Sequence, residues 1–283
     1  MADTASPSGA ATVPGEPSPF AREMRRRRSL RRMSQLELAT LAGTTQRHLS
    51  FIESGRSAPG RAMVVRLAES LGLTLRERNS LLLSAGYAPV YAESARDAES
   101  IGPAMEALRS ILTGHLPYPA VVAGPRGELV LSNAAFGVLT EGAAAHLLEP
   151  PVNVLRLALH PEGMGSRVVN LAAWGRHVTE SLRARAAAHP DPELDALIAE
   201  LTEYLPPARP AGAPGGHLGF AVPLRLRTSG GELRLLTTLT SFATAVDVTL
   251  AELHLEAFLP ADAATGALLR RREELRARGG PGR

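Results

Sequence analysis

Through most of this chain apolar residues recur every three or four positions; strict alternation is confined to a few short stretches. The first block of helical period runs from about Phe20 to Gly86 and breaks into five short helices. Ser34 and Glu37 stand at the spacing of a capping box, in which the hydroxyl accepts from the backbone N–H of Glu37 and the carboxylate reaches back. A helix therefore starts at Ser34, with its apolar side expected from Leu36, Leu38, Ala39 and Leu41. Gly43 ends it as a residue free to take positive φ. Thr45 is the next N-cap, Leu49 and Ile52 form the inward stripe behind it, and Gly55 closes that helix. Met63, Val64, Leu67 and Leu71 mark a further helix. Thr74 with Glu77 makes a second capping box and opens the last one, which ends at Gly86.

From Ala88 to Pro103 the periodicity fades, and this stretch reads as a linker. Pro103 suits the first turn of a helix carrying Met105, Leu108, Ile111 and Leu112. The pattern then shortens: Ala120 to Val122, the turn Gly124 to Gly127, and Leu129 to Leu131 predict a β-hairpin, followed by a helix from about Asn133. Leu171, Trp174, Val178 and Leu182 predict one helix. After the Asp191-Pro192 start, Leu194, Leu197, Ile198, Leu201 and Leu205 predict another. Phe220, Val222, Leu224 and Leu226 alternate with Pro223, Arg225 and Arg227 as a half-buried strand, and Ser229 to Gly231 turns the chain into Leu233 to Phe242. Leu253 and Leu255 fit strand or helix by pattern; an antiparallel meander favours strand. The predicted architecture is an all-α domain of five short helices followed by an α+β domain with an antiparallel sheet. Its segments are a disordered 1–18, a helical 19–87, a linker 88–103, an α+β domain 104–269 and a flexible tail 270–283.

Charge changes the picture. The 283 residues carry a formal net charge of +3. Between Phe20 and Arg78 there are 13 arginines against 5 acids, a balance of +8, and the remainder holds 18 against 23, a balance of −5. Such asymmetry points to a polyanion as the partner of the first segment. There is no cysteine, which excludes disulfides and thiolate metal sites and fits a reducing compartment. No apolar run is long enough to span a membrane, and the opening residues lack the basic and apolar regions of a signal peptide. A cytoplasmic location is the expectation.

The two capped helices at Ser34 and Thr45, joined by a turn at Gly43, have the spacing of a helix-turn-helix. The second helix of such a pair enters the major groove N-terminus first, and here it would present Gln46, Arg47, Ser50 and Phe51. Arg pairs with the O6 and N7 of guanine, Gln with adenine, and an aromatic edge meets a thymine methyl. Gln35 is placed for a phosphate, and Arg56 and Arg31 would add backbone contacts that position the domain without reading sequence. The blocks Ser34-Gln35-Leu36-Glu37-Leu38-Ala39, Ala42 through Arg56, and Arg66 through Leu71 resemble the Xre/Cro/CI family. That resemblance implies a phosphate role for Gln35 and, from the N-cap Thr45 onward, base-facing positions at Gln46, Arg47, Ser50 and Phe51. Phe51 departs from the polar residue often found there.

A hairpin, a helical middle and a three-strand meander are the parts of a PAS-like fold, in which sheet and helices enclose an apolar cavity. Pro117 through Val122, Leu148 through Gly163, Val169 through Trp174, Val222 through Arg227 and Phe258 through Asp262 resemble the MmyB-type ligand-binding domain. That resemblance implies a regulator whose C-terminal half binds an apolar or fatty-acyl-like small molecule and which forms a homodimer. Asn153, Arg156 and His160 are candidates for the polar head of such a ligand. Arg156 equally suits a structural ion pair, and His160 before Pro161 suits a helix C-cap. Trp174, Phe220 and Phe242 are either cavity wall or plain core. Histidines stand at no metal-ligand spacing, and no phosphate-binding or nucleophile motif occurs, so no metal, cofactor or enzymatic activity is expected. Double-stranded DNA, a second copy and a small apolar molecule are the expected partners, with no membrane. The expected function is ligand-gated operator binding, as a repressor. The alternative is a DNA-binding protein whose second domain serves only dimerisation or a protein partner.

Overall fold

The computed structural model describes residues 18–207 and 221–279, and the chain divides into two compact units between Tyr91 and Ala92. In the first, α1 (Pro19–Leu30), α2 (Gln35–Leu41), α3 (Gln46–Glu53), α4 (Arg61–Ser70) and α5 (Leu75–Ser84) follow one another through short turns. The local chemistry sets these boundaries. Ser34 Oγ accepts from the Glu37 N–H at 3.1 Å while the Glu37 carboxylate accepts from the Ser34 N–H, and Thr74 with Glu77 repeats the arrangement. Thr45 caps α3 by accepting from the His48 N–H at 3.1 Å. Gly43 adopts φ +63°, the left-handed conformation that lets the chain turn between α2 and α3.

Leu38, Leu49, Ile52, Leu67 and Leu81 meet in a fully buried core. Leu36 and Leu41, expected on the inward side of α2, are instead 59% and 61% exposed. At ~100° per residue, position 36 lies almost opposite position 38, so a seven-residue helix turns only Leu38 and Ala39 inward. The first part of the expected linker is ordered against this unit: Asn79 donates to the Tyr91 carbonyl at 2.7 Å and accepts from the backbone of Val90 and Tyr91.

The second unit contains α6 (Gly102–Gly114), β1 (Ala120–Ala123), β2 (Leu129–Ser132), α7 (Gly137–Thr140), α8 (Val154–Leu159), α9 (Leu171–Ala188) and α10 (Pro192–Glu203). These are followed by β3 (Leu224–Thr228), β4 (Gly231–Ser241), α11 (Val248–Glu252), β5 (His254–Pro260) and α12 (Ala263–Gly279). The sheet is antiparallel throughout, in the order β2-β1-β5-β4-β3, which is the arrangement of a PAS-like α+β domain. The hairpin, the helical middle and the meander are all present, and the ambiguous stretch at Leu255 is a strand.

Three details differ from the sequence pattern. β3 begins at Leu224, just after Pro223, which has no N–H for a ladder; Phe220 lies outside the described residues. Ile111 is 46% exposed because it sits at the edge of the α6 stripe that Met105, Leu108 and Leu112 bury. The chain beyond Arg270, expected to be a flexible tail, continues α12 to Gly279, and Arg272 on that helix pairs with Glu141.

Both faces of the sheet are covered. Ala120 and Val122 on β1, with Leu255 and Ala257 on β5, pack against Met105 and Leu108 of α6. The other face carries Val121, Phe258 and Leu235, and meets α8, α9 and α10 in a second cluster.

Candidate functional site

Two places carry chemistry. The first is the outward face of α3. Leu49 and Ile52 are buried, while Gln46, Arg47 and Arg56 are exposed and Ser50 and Phe51 are half-buried beside them. The Arg47 guanidinium lies 5.4 Å from the centre of the Phe51 ring and that of Arg56 lies 6.0 Å from it, so the ring is flanked by two cations.

Beneath this surface lies a residue that sequence reasoning missed. Glu53, the last residue of α3, is 1% exposed and accepts two hydrogen bonds from Arg28, at 2.6 and 2.9 Å, and one from Gln35 Nε2 at 2.8 Å. Burial pushes its carboxyl up, but the bonds from Arg28 and Gln35 prevail and hold it below the usual carboxylate range. One acid thus ties α1, the start of α2 and the end of α3 together. Gln35, expected on a phosphate, spends one amide hydrogen here and keeps a second. Arg31, also expected on a phosphate, donates its Nε to the Leu71 carbonyl at the end of α4 at 2.9 Å. The run Arg25 to Arg28 is likewise turned to internal partners, among them Glu23, Glu77 and the Glu53 carbonyl. Much of the +8 balance therefore holds the domain together. Among the described residues Arg47 and Arg56 have no acidic partner and remain on the surface.

The second place is a cavity of about 410 Å³ between the sheet and the helices of the C-terminal unit. Along α9 the wall is built by Trp174, His177, Val178, Ser181, Leu182 and Arg185, which share one face by helical spacing. β5 faces them with His254, Glu256 and Phe258, and β1 adds Val121 and Ala123. Cross-strand pairing of Val121 with Glu256 and of Ala123 with His254 sets these side chains on the same face. His177, Ser181 and Leu239 line the cavity yet stay exposed, so they form its rim.

Trp174, 7% exposed, is the one expected ligand contact found in the described wall. Asn153, Arg156, His160 and Phe242 lie elsewhere for identifiable reasons, and Phe220 falls outside the described residues. Asn153 is the N-cap of α8: its oxygen accepts from Leu155 and Arg156 and its nitrogen donates to the Arg126 carbonyl. Arg156 forms a two-pronged bond with Glu200 at 2.7 and 2.8 Å, joining α8 to α10. Tyr204 donates to that same Glu200, and its hydroxyl is pushed up to about 12 by burial and by the carboxylate. His160 ends α8 and stands edge-on to Tyr204, with ring centres 4.8 Å apart. Phe242 lies just past β4 and packs with the α6 cluster across the sheet from the cavity.

One histidine cluster is also brought together by folding: His146, His160 and Glu162 place one potential ligand atom each within 4.8 Å of one another. His160 Nδ1, however, accepts the Glu162 backbone N–H at 3.0 Å. The neutral ring then carries its proton on Nε2, and neither nitrogen offers a metal a free lone pair without breaking that bond.

No curated protein sequence matches the chain. Among solved structures, an RNA-binding light-oxygen-voltage receptor aligns at 15% identity with a TM-score of 0.25, over 92% of this chain and 63% of its own length, a likeness too weak to carry an argument. Among the described residues no helix is long and apolar enough to cross a membrane. A helix-turn-helix family matches residues 24–78, the five-helix unit with the exposed α3 face, and the MmyB-like transcription regulator ligand binding domain matches residues 104–271, the unit with the cavity. The chain belongs to the family of MmyB-like transcription regulators: a DNA-binding helix-turn-helix followed by a ligand-binding domain.

Proposed function

We propose that this regulator is a cytoplasmic operator-binding homodimer whose DNA affinity is set by an apolar, fatty-acyl-like small molecule held in the C-terminal cavity. The observation that carries the reading is the cavity itself. A domain used only for assembly gains most by packing solid, whereas this one keeps about 410 Å³ open, within the size range of small-molecule sites. Gln46 and Arg47 read base edges, Ser50 and Phe51 complete the contact behind Thr45, and Arg56 with the second amide hydrogen of Gln35 positions the domain on phosphates. Arg31 is assigned to the end of α4, where its Nε is already engaged. Two copies engage half-sites about one helical turn, ~34 Å, apart. Repression follows from occupancy of the operator. A ligand changes that occupancy only by binding one conformation of the dimer better than the other.

Native mass spectrometry of the purified full-length chain, followed by DNA titration before and after delipidation, tests the reading. A co-purifying lipid-like mass, and an operator affinity that shifts when it is removed, are expected. A dimer with no bound mass, whose operator affinity ignores every acyl compound added, would leave the domain a purely assembly role.

A further inference from the structure

Helices α2 to α5 all end in the same way. Two residues past each helix a glycine takes the left-handed conformation: Gly43 at φ +63°, Gly55 at +75°, Gly72 at +60° and Gly86 at +81°. α1 ends in the same turn, yet the residue at that position is Arg32, at φ +54°. Among the described residues no other non-glycine has a positive φ. The backbone bonds are those of an ordinary helix end, with the Arg32 N–H donating to the Ser29 carbonyl at 2.9 Å and the Met33 N–H to the Arg28 carbonyl at 3.2 Å. In this conformation a Cβ crowds the neighbouring carbonyl oxygen, a penalty that glycine escapes.

Strain of this kind persists where the side chain supplies something that offsets it. Nothing within the domain does so. Arg32 is exposed, and its guanidinium has no hydrogen-bond or ion-pair partner among the described residues. Its neighbours in the arginine run are engaged: Arg28 with Glu53, and Arg31 with the Leu71 carbonyl. Arg31, the residue that the sequence pattern favoured for a phosphate, is thus turned to α4, while the arginine next to it stays outside.

The turn that carries Arg32 is fixed against the end of α3. Arg28 donates to the Met33 carbonyl at 2.7 Å and, through two other bonds, to the Glu53 carboxylate, so one guanidinium holds both the residue after Arg32 and the last residue of α3. Gln35 reaches the same carboxylate, and Arg56 follows Glu53 by three residues. Arg32 therefore stands just ahead of α2, the helix that crosses the DNA backbone when its successor lies in the groove. The planar fork of an arginine matches the oxygens of a phosphate.

Resting on the helix-turn-helix reading of this unit, we propose that Arg32 is a phosphate-binding residue and that the strained turn after α1 presents its guanidinium to the DNA backbone. The contact carries no sequence information. It sets the register and orientation in which α3 meets the base edges.

Because a phosphate contact is independent of sequence, no operator is needed for the test. The full-length chain is titrated against a mixed-sequence DNA duplex by fluorescence anisotropy, from about 0.05 to 0.2 M salt. Arg32→Gly and Arg32→Asn should each weaken binding about fivefold at ~0.15 M salt and flatten the slope of log K against log salt by ~0.9, the loss of one phosphate. Circular dichroism melts of the same variants should show the first unit as stable as the wild type or more so, since both residues tolerate the left-handed turn. Arg32→Lys keeps the charge and should keep the salt slope. A wild-type slope in Arg32→Gly overturns the proposal, and so does a slope that Arg32→Lys fails to retain. A lower melting midpoint in both Arg32→Gly and Arg32→Asn would make Arg32 a structural residue and overturn it as well. A wild-type chain that leaves the duplex unbound even at ~0.05 M salt would instead bring down the DNA-binding reading, and this inference with it.

Discussion

Replacing Glu53 by alanine tests whether α3, the second helix of the helix-turn-helix, is held in place by a single buried acid. Glu53 is 1% exposed and the Arg28 side chain 14%, so the substitution strands a guanidinium in a site with little water and frees Gln35 as well. Removing one partner of a buried ion pair costs ~3–5 kcal/mol. For a unit of this size each kcal/mol shifts the midpoint by ~4–8 °C, so the N-terminal unit should melt ~12–40 °C lower. Circular dichroism melts of the full chain read this directly, because most helices of the first unit unfold in that transition while a C-terminal transition should stay put. The pH dependence has a definite sign. Arg28 and Gln35 overcome the effect of burial and hold the folded carboxyl low. The stabilisation is therefore complete above the unfolded value of ~4.3 and is lost as pH falls through the still lower folded value. Glu53→Gln should lose that acid-side dependence and melt between the wild type and the alanine variant, since its amide oxygen still accepts from Arg28. A midpoint for Glu53→Ala that corresponds to less than ~1 kcal/mol would refute the assignment of Glu53 as the tie between α1, α2 and α3.

Three further outcomes are expected. Arg47→Ala should cost ~1–3 kcal/mol on the operator and relax selectivity at one base pair; equal losses on operator and random duplex would remove it from the base-reading set. Arg56→Ala should weaken operator and random DNA alike and flatten the salt slope by about one unit, as loss of a single phosphate contact requires. Arg156→Ala, which breaks a half-exposed bond to Glu200, should lower the stability of the C-terminal unit by only ~0.2–1 kcal/mol. It should leave ligand-dependent Trp174 fluorescence unchanged, and a large loss of ligand affinity would return Arg156 to the cavity.

The helix-turn-helix was legible because its determinants are local. Ser34, Gly43 and Thr45 act within one turn of themselves, and capping chemistry is the same wherever those residues stand. Charge was less legible. Arg28 and Arg56 are equivalent in a composition count, yet one is buried against Glu53 and the other lies over Phe51. The signal for Glu53 was an acid directly after the inward Ile52, where the helical stripe puts the next side chain close to the core. Asn153, Arg156 and His160 stood out as polar residues within one block of the resemblance, but adjacency in sequence placed them along α8, where the helix termini claim Asn153 and His160 and a neighbouring helix claims Arg156.

The cavity was hidden by the rule that locates strands. Alternation on β5 gives Leu255 and Ala257 to one face and His254 and Glu256 to the other, and the ordinary reading sends the polar pair to solvent. Both faces of this sheet are covered, so the polar face turns inward as well, toward α9. Phe258 was the clue: it has the same parity as His254 and Glu256 and is buried. A solvent face has no use for a buried aromatic, and a solid core has no place for a carboxyl without a hydrogen-bond partner. A strand face that carries both, opposite a helix stripe that itself runs from Trp174 to Arg185, satisfies the two conditions only if open space lies between them.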